Sequence, residues 1–515
     1  MNRRAVAISL ASLALAACST DLVAPPKTPR SPTLSVSTGG NNNDGDYLVL
    51  MKSASIDPSF DARVKSLGGE VRRRHDGAGL AVVSGLTEAT AAQLATVSGV
   101  TEVTPDVQIN LNLPTQPTLA DGAAVATRAA SQTNPANAAL YSWQWNMRLI
   151  KANQAWAAGK LGKSSVRVAI LDTGIDYDDP DLNGLVDLSR SKSFMSVYVK
   201  ATPTSIVRPA DDTVSKYSFP SRNPISDYNG HGTNVAAQVS SKAVVFAGVT
   251  ARTTLIGVKV LGSNGVGSLG TVLNGVLWAA DNGANVANMS LGGGFPRTGN
   301  QAIVDIINQV FDYAHQKRML VVVSAGNSGQ DLDNNGDTYS TYCDAPHVVC
   351  VSAVGPKLAT SNPDEPAFYT NFGLHSIDVA APGGNADLAN GLPDSNWPWG
   401  PDFASWVWSF CSKTFIASWT SANKPNSLPC ASGNFLNGYI GTSQAAPHVT
   451  GLAALLISVT GEAKSMEVKK SILESADDLG PPGRDPFYGA GRINVWKAVR
   501  GQNDDGNRSG SNHGR

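Results

Sequence analysis

The sequence predicts an α/β protein: a mostly parallel sheet with helices on both faces, preceded by a small ferredoxin-like α+β domain. Three observations carry this. Between Val166 and Ser352, short branched apolar runs alternate with segments of helical periodicity, and strands separated by helices build parallel sheets. Val166-Arg-Val-Ala-Ile-Leu171 has the character of a strand buried on both faces. Residues 46–110 read strand–helix–strand–strand–helix–strand, the ferredoxin-like order.

Composition bounds the rest. A chain of 515 residues with 42% hydrophobic and 16% charged residues is globular and holds about two or three domains. A net charge of −1 argues against a nucleic-acid partner and against a polybasic membrane surface. Residues 1–18 form a targeting segment: basic Asn2-Arg-Arg4, then apolar Ala5 to Ala17, which is too short to span a bilayer. It ends in Leu15-Ala-Ala-Cys18, which resembles a lipobox with Cys18 as the lipidated mature N-terminus. An ordinary signal peptide cut near Ala14-Leu-Ala16 is the alternative. Either way the chain is expected to be exported, to the bacterial cell envelope or beyond it, with a lipid anchor as its one membrane contact. Export permits disulfides. Local pairs Cys343–Cys350 and Cys411–Cys430 are expected, one of three connectivities that four Cys allow.

In chain order, residues 19–45 are a Pro/Ser/Asn/Gly tether. Tyr47–Met51 is strand-like. Asp57 offers a helix N-cap with Pro58 behind it, Phe60, Val64 and Leu67 follow at helical spacing, and Gly68-Gly69 stops the helix. Leu80–Val83 is a strand, Thr87 caps a second helix, and Val100–Ile109 is extended. A unit of about 65 residues is marginal alone and is expected to lean on another surface. Residues 111–139 read as a linker open to nicking. The large domain spans 140–498. Its expected strands are Val166–Leu171, Ala243–Ala247, Leu255–Val260, Val286–Ser290, Met319–Val323 and His347–Ser352. Its expected helices are Thr271–Asn282, Ala302–Gln316 and Ala445–Ser458. Residues 499–515 read as a disordered tail.

Asp172, Ser290 and Ala325 fall just past strand ends, where open α/β sheets place their sites. Ser443 opens a helix, where unpaired N–H groups and the dipole favour an oxyanion; alone, it cannot be told from a helix cap. His231 lies in a Gly-flanked loop entering a helix. A carboxylate, an imidazole and a hydroxyl supply an orienting group, a general base and a nucleophile.

The segments Ala169-Ile-Leu-Asp-Thr-Gly174, Gly230-His-Gly-Thr233 and Gly441-Thr-Ser-Gln-Ala-Ala-Pro447 resemble the three catalytic motifs of the subtilisin-like serine peptidases (subtilases). The resemblance covers about residues 140–498, in the family's order. It implies a subtilisin-like fold and endopeptidase activity, with Asp172 orienting, His231 as base then acid, and Ser443 attacking. Val322-Val-Ser-Ala-Gly-Asn327 resembles the oxyanion segment, with Asn327 as donor. Ser290, Leu291 and Gly292 resemble one wall of the S1 pocket, and Ser324, Ala325 and Gly326 the other. Gly265, Val266 and Gly267 resemble the strand that pairs with substrate upstream of the cut. With no acidic residue in these walls, an apolar or broad P1 preference is expected. Residues 46–110 match the family's inhibitory propeptide, implying maturation within 110–140; a permanent accessory domain is the alternative. Polypeptide substrates and the chain's own propeptide are the implied partners, the enzyme is expected as a monomer, and no cofactor is required.

The chain departs from the family in the long polar loop Lys192–Pro224 and in an insertion at about 385–436. The insertion carries Trp397, Trp399, Trp406, Trp408 and Trp419, and reads as a disulfide-stapled satellite core or as a substrate lid. Asp331, Asp333, Asn335 and Asp337 place oxygens at alternating positions, as a calcium loop does, but Tyr342 stands where the terminal Glu belongs. Structural calcium and a solvated acidic turn are the two readings. A non-catalytic cell-envelope binding protein on the same fold is the second functional class; it requires a lost triad residue, and all three are present.

Overall fold

The computed structural model describes residues 46–122, 128–195, 211–357, 362–385, 405–419 and 425–500. Cys18, the signal and tether segments, Trp397, Trp399 and the tail beyond Arg500 lie outside them, and nothing is described of the Trp419 side chain.

The N-terminal module has β1 (Tyr47–Met51), α1 (Phe60–Ser66), β2 (Glu70–His75), β3 (Leu80–Ser84), α2 (Glu88–Ala95) and β4 (Val100–Pro105). Its antiparallel sheet has the order β2-β3-β1-β4. Period-two alternation sorts its side chains. Val49, Met51, Ala81 and Val83 face α1 and α2, packing on Phe60, Val64 and Leu94. Leu48, Leu50, Leu80 and Val82 join the core of the large domain. The module therefore does lean on a second surface. Thr87 caps α2 in a capping box with Thr90. Helix α1 starts later than expected, at Phe60, because Asp57 Oδ1 accepts from Ser59 N–H (2.7 Å) and holds a turn there. Next come β5 (Gln108–Asn110) and β6 (Thr118–Asp121), both in or beside the stretch expected to be linker.

The large domain is built on β7 (Arg167–Asp172), β8 (Lys192–Ser193), β9 (Thr254–Lys259), β11 (Val286–Met289), β12 (Leu320–Ser324), β13 (Val348–Val354) and β14 (Val379–Pro382). The seven strands form one parallel sheet, in the order β14-β13-β12-β11-β7-β9-β8. Between β9 and β11 lie β10 (Val266–Ser268) and α4 (Leu269–Asp281); α3 (His231–Val239), α5 (Gln301–Gln316) and α6 (Thr442–Thr460) complete the site-bearing frame. Helix α6 is buried over nearly its whole length, which is why its sequence is apolar on every side rather than striped. The insertion supplies β15 (Val407–Phe410), and β16 (Phe435–Tyr439) begins at its end.

Further expectations need correction. Ala243–Ala247 is not a strand: the N–H groups of Val244, Val245 and Phe246 all donate to the buried Asp181 carboxylate instead of to a neighbouring strand. Trp406, Trp408 and Phe410 are not a satellite core, since they belong to the main core with Leu436 and Ile440. Both expected disulfides, Cys343–Cys350 and Cys411–Cys430, are present. Val499, expected in the tail, is buried in the terminal helix Val495–Val499.

The docked module carries a proton-linked seam. Asp106 Oδ1 accepts from Gly270 N–H at the start of α4 (2.8 Å), yet burial pushes its carboxyl up to about 6. Burial and then the Asp106 charge push the neighbouring Asp46 up to about 7. Raised carboxylates mean that the docked state holds more protons than the free one, so docking weakens as pH climbs from about 4 to about 7 and then levels off. A separate 46–112 fragment should bind the large domain at least about tenfold more tightly at pH ~4 than at pH ~8. Asp106→Asn should reduce the difference by removing one of the two carboxyls and easing the shift of the other; titration calorimetry reads both.

Candidate functional site

Three parallel strands deliver the site at their C-terminal edge. Asp172 is the last residue of β7, Ser290 follows β11, and Ala325 follows β12. Asp172 is fully buried; its Oδ1 accepts from Thr173 N–H (2.7 Å) and lies 2.8 Å from His231 Nδ1. That contact leaves His231 Nε2 as the nitrogen able to take a proton, and no hydrogen bond occupies it. His231 opens α3 behind Gly230, whose φ of +92° suits glycine. A Cβ on Gly232 would stand 2.2 Å from the Gly174 carbonyl. The close packing of the Asp and His loops therefore requires the Gly-His-Gly pattern.

Asp227, which sequence reasoning missed, organises that loop. Its carboxylate accepts from Thr173 Oγ1, Asn229 N, Gly230 N, Thr233 N and Thr233 Oγ1. An Asp four residues before a Gly-flanked His, where a helix must be capped, was the available signal. Lys259, at the end of β9, is buried against Asp211 (2.8 Å) and the Ser226 carbonyl (2.9 Å), and braces the Thr173 carbonyl from below.

Ser443 sits in the first turn of α6. Pro447 lies inside that helix and has no N–H to give Ser443 O, four residues earlier. The freed carbonyl accepts from Ser290 Oγ instead (2.7 Å), while Ser443 Oγ donates to Ser290 O (3.2 Å). The proline thus ties the serine to the β11 segment. Ser443 Oγ is given to Ser290 O and His231 Nε2 has no hydrogen-bond partner, so the two are not bonded to each other. His448, one turn along, is a structural histidine: its ring bridges Gln444 O (2.7 Å) and Asn146 Nδ2 (2.8 Å), and burial holds it neutral, down at about 4.

Asn327 completes the constellation. Its Oδ1 accepts from Thr442 N (2.9 Å) and Thr442 Oγ1 (2.8 Å), which fixes the amide orientation. Its Nδ2 then donates to the backbone carbonyl of Asn112 at 2.5 Å. Asn112 belongs to the segment following the N-terminal module. Just upstream, β5 pairs antiparallel with β10 in the register Asn110↔Val266, Ile109↔Gly267 and Gln108↔Ser268, and Leu111 N–H donates to Gly265 O (2.8 Å). Asn112 lines a cleft with Ser290, Leu291, Gly292, Ser324, Ala325, Gly326 and Ser443; Gln330, Thr338, Ser340 and Thr341 also line it. The chain has thus laid its own residues 108–112 along β10, with one carbonyl, that of Asn112, accepting from the Asn327 side-chain amide. That is the geometry that stabilises charge developing on the carbonyl oxygen of an attacked peptide bond.

Asp331, Asp333, Asn335 and Asp337 do not converge. Asp333 is taken up by His375 N, Ser376 N and Ser376 Oγ; Asp331 by Asp333 N and Asn334 Nδ2; Asp337 by Thr298 N; Asn335 Nδ2 donates to Ser340 Oγ. Among the described residues no three His, Cys, Asp or Glu side chains gather as a metal site, and no helix is long and apolar enough to cross a membrane.

Comparison with known proteins converges on one family. The profile described as "Subtilase family" (Peptidase_S8) matches residues 163–491. The chain is 28% identical over 362 residues to thermitase of Thermoactinomyces vulgaris, covering 70% of this chain and 96% of that protein. It is 30% identical over 360 residues to subtilisin DY of Bacillus licheniformis, covering 69% and 98%. Among solved structures, the epidermin leader peptide processing serine protease of Staphylococcus aureus superposes with a TM-score of 0.64 at 22% identity. That superposition covers 88% of this chain and 97% of the other, and speaks for the fold.

Proposed function

The chain belongs to the subtilase family of serine peptidases, and from that premise we propose that it is an exported serine endopeptidase, made as a zymogen that cuts itself between Asn112 and Leu113. The observation carrying this reading is the Asn112 carbonyl on Asn327 Nδ2, flanked by the β5–β10 pairing. The N-terminal module is then an intramolecular inhibitor, its last residues lying in the cleft as substrate would.

In the proposed reaction, Ser443 Oγ attacks the Asn112 carbonyl carbon and passes its proton to His231 Nε2. Asp172 holds the imidazole through Nδ1 and stabilises its protonated form. Negative charge forming on the Asn112 oxygen meets Asn327 Nδ2 and the Ser443 N–H in the first turn of α6. His231 returns the proton to the Leu113 nitrogen as the bond breaks. Water, activated by the same imidazole, then hydrolyses the ester between Ser443 and Asn112. Substrates cut in trans add as a strand along β10, which favours unfolded or loop segments.

The polar lining of the cleft changes the expected specificity. Gln330, Ser340 and Thr341 join the walls, and the chain's own residue there is Asn112. A small polar P1 side chain fits this lining better than the apolar one expected from the wall segments alone. A fluorophosphonate probe and casein hydrolysis test the reading together. Mature protein should be labelled on Ser443 and cut casein. Labelling elsewhere, or casein cleavage undiminished in Ser443→Ala, would sink it. Cys18 is the proposed lipid attachment point; absence of radiolabelled palmitate from the exported protein would remove it.

A further inference from the structure

The chain downstream of Asn112 is also seated. Residues 118–121, as β6, form an antiparallel pair with β16 in the register Thr118↔Gly438, Leu119↔Asn437, Ala120↔Leu436 and Asp121↔Phe435. Gly122 N–H donates to Asn434 O (2.6 Å). β16 begins where the insertion ends, just past the Cys411–Cys430 disulfide, and runs to Tyr439. Its other edge is closed by β15, which α3 grips through Asn234 Nδ2 to Val407 O (3.1 Å) and Gln238 Nε2 to Trp408 O (3.0 Å). Tyr439, at the end of β16, packs edge-on against the His231 ring at 5.5 Å. The strand is therefore a rail fixed to the helix that carries His231, and its remaining edge is paired with the segment C-terminal to the proposed cut.

Resting on the assignment of Asn112–Leu113 as the cut bond, we propose that the edge of β16 is a binding site for the leaving side of polypeptide substrates, engaging the sixth to ninth residues after the cut as an added β-strand. Counting from Leu113, those are Thr118 to Asp121. Recognition is by main-chain hydrogen bonds. The side-chain demand is for small residues facing the rail. Ala120 packs on the main core while Leu119 points out, and a Cβ on Gly122 would stand 2.7 Å from Leu436 Cδ2. The Trp-rich insertion thus extends the substrate strip well past the catalytic serine, and the natural substrate is an extended polypeptide rather than a short peptide.

Antiparallel pairing alternates which residues turn their N–H to the partner. Because Gly122 bonds to Asn434, the N–H of Ala120 faces β16 and that of Leu119 faces away. The test uses the self-processed full-length protein and three kinds of synthetic peptide. One copies residues 106–122, one stops after Pro117, and two copies of the long peptide are N-methylated at either Ala120 or Leu119. The long peptide should be cut after Asn112 with kcat/KM about tenfold above the truncated one, the scale of a few net hydrogen bonds. Methylation at Ala120 should remove that gain, and methylation at Leu119 should keep it. Equal rates for long and truncated peptides, or equal effects of the two methyl groups, overturn the rail; so does lasting occupation of β16 by the enzyme's own residues 118–121, which abolishes any length dependence. Cutting at another bond, or none at all, strikes instead at the assignment of the cut bond.

Discussion

Ser443→Ala should leave the chain uncut and lower peptide hydrolysis by about 10⁶-fold, the scale known for removing the nucleophile of subtilisin, a relative of this chain. The reason is local. Ser443 is held by two reciprocal contacts with Ser290, and the other hydroxyl in the first turn of α6, Thr442, has both its N–H and its Oγ1 tied to Asn327. The fold should survive, because the lost contact is one hydroxyl donating to a carbonyl. Circular dichroism matching the parent, with full-length mass and no turnover, is the expected set. Turnover within about tenfold of the parent would remove Ser443 from the chemistry.

Asn327→Ala carries the second-largest effect. The Asn112 oxygen would lose the Asn327 Nδ2 donor, and kcat should fall by about 10²–10³-fold with KM nearly unchanged. The magnitude is that of the corresponding donor in subtilisin, a member of this family. Self-processing should slow in proportion. The same substitution also frees Thr442 N and Oγ1, so a modest loss of thermal stability is expected beside it. Asn327→Asp separates the two effects: it keeps the acceptor for Thr442 and loses the N–H donor, so it should restore stability without restoring kcat.

Much of this was legible in the chain. Buried parallel strands announce themselves as unbroken branched runs, and Leu320–Ser324 and Val348–Val354 fall within a residue or two of expectation. Three short motifs single out Asp172, His231 and Ser443, and the fold brings Asp172 Oδ1 to 2.8 Å from His231 Nδ1 in turns where glycine packs closely. What stayed hidden depends on distant partners. Ala243–Ala247 reads as a strand until the Asp181 carboxylate, far off in sequence, claims its N–H groups. Glu70–His75 carries three consecutive arginines and shows no apolar alternation, yet it pairs along β3 as an edge strand. Residues 111–121 look like a polar linker because their order comes from Gly265, Asn327 and β16, not from their own propensity. Trp406 and Trp408 suggested a side structure; only the tertiary fold shows them in the central core.

N-terminal sequencing of the self-processed protein tests the account most directly. A new N-terminus at Leu113, absent when Ser443→Ala is expressed alongside, is the predicted result. It follows from the one carbonyl held on Asn327 Nδ2. A start at any other residue between 106 and 139, or a Leu113 start that also appears in Ser443→Ala, would contradict it.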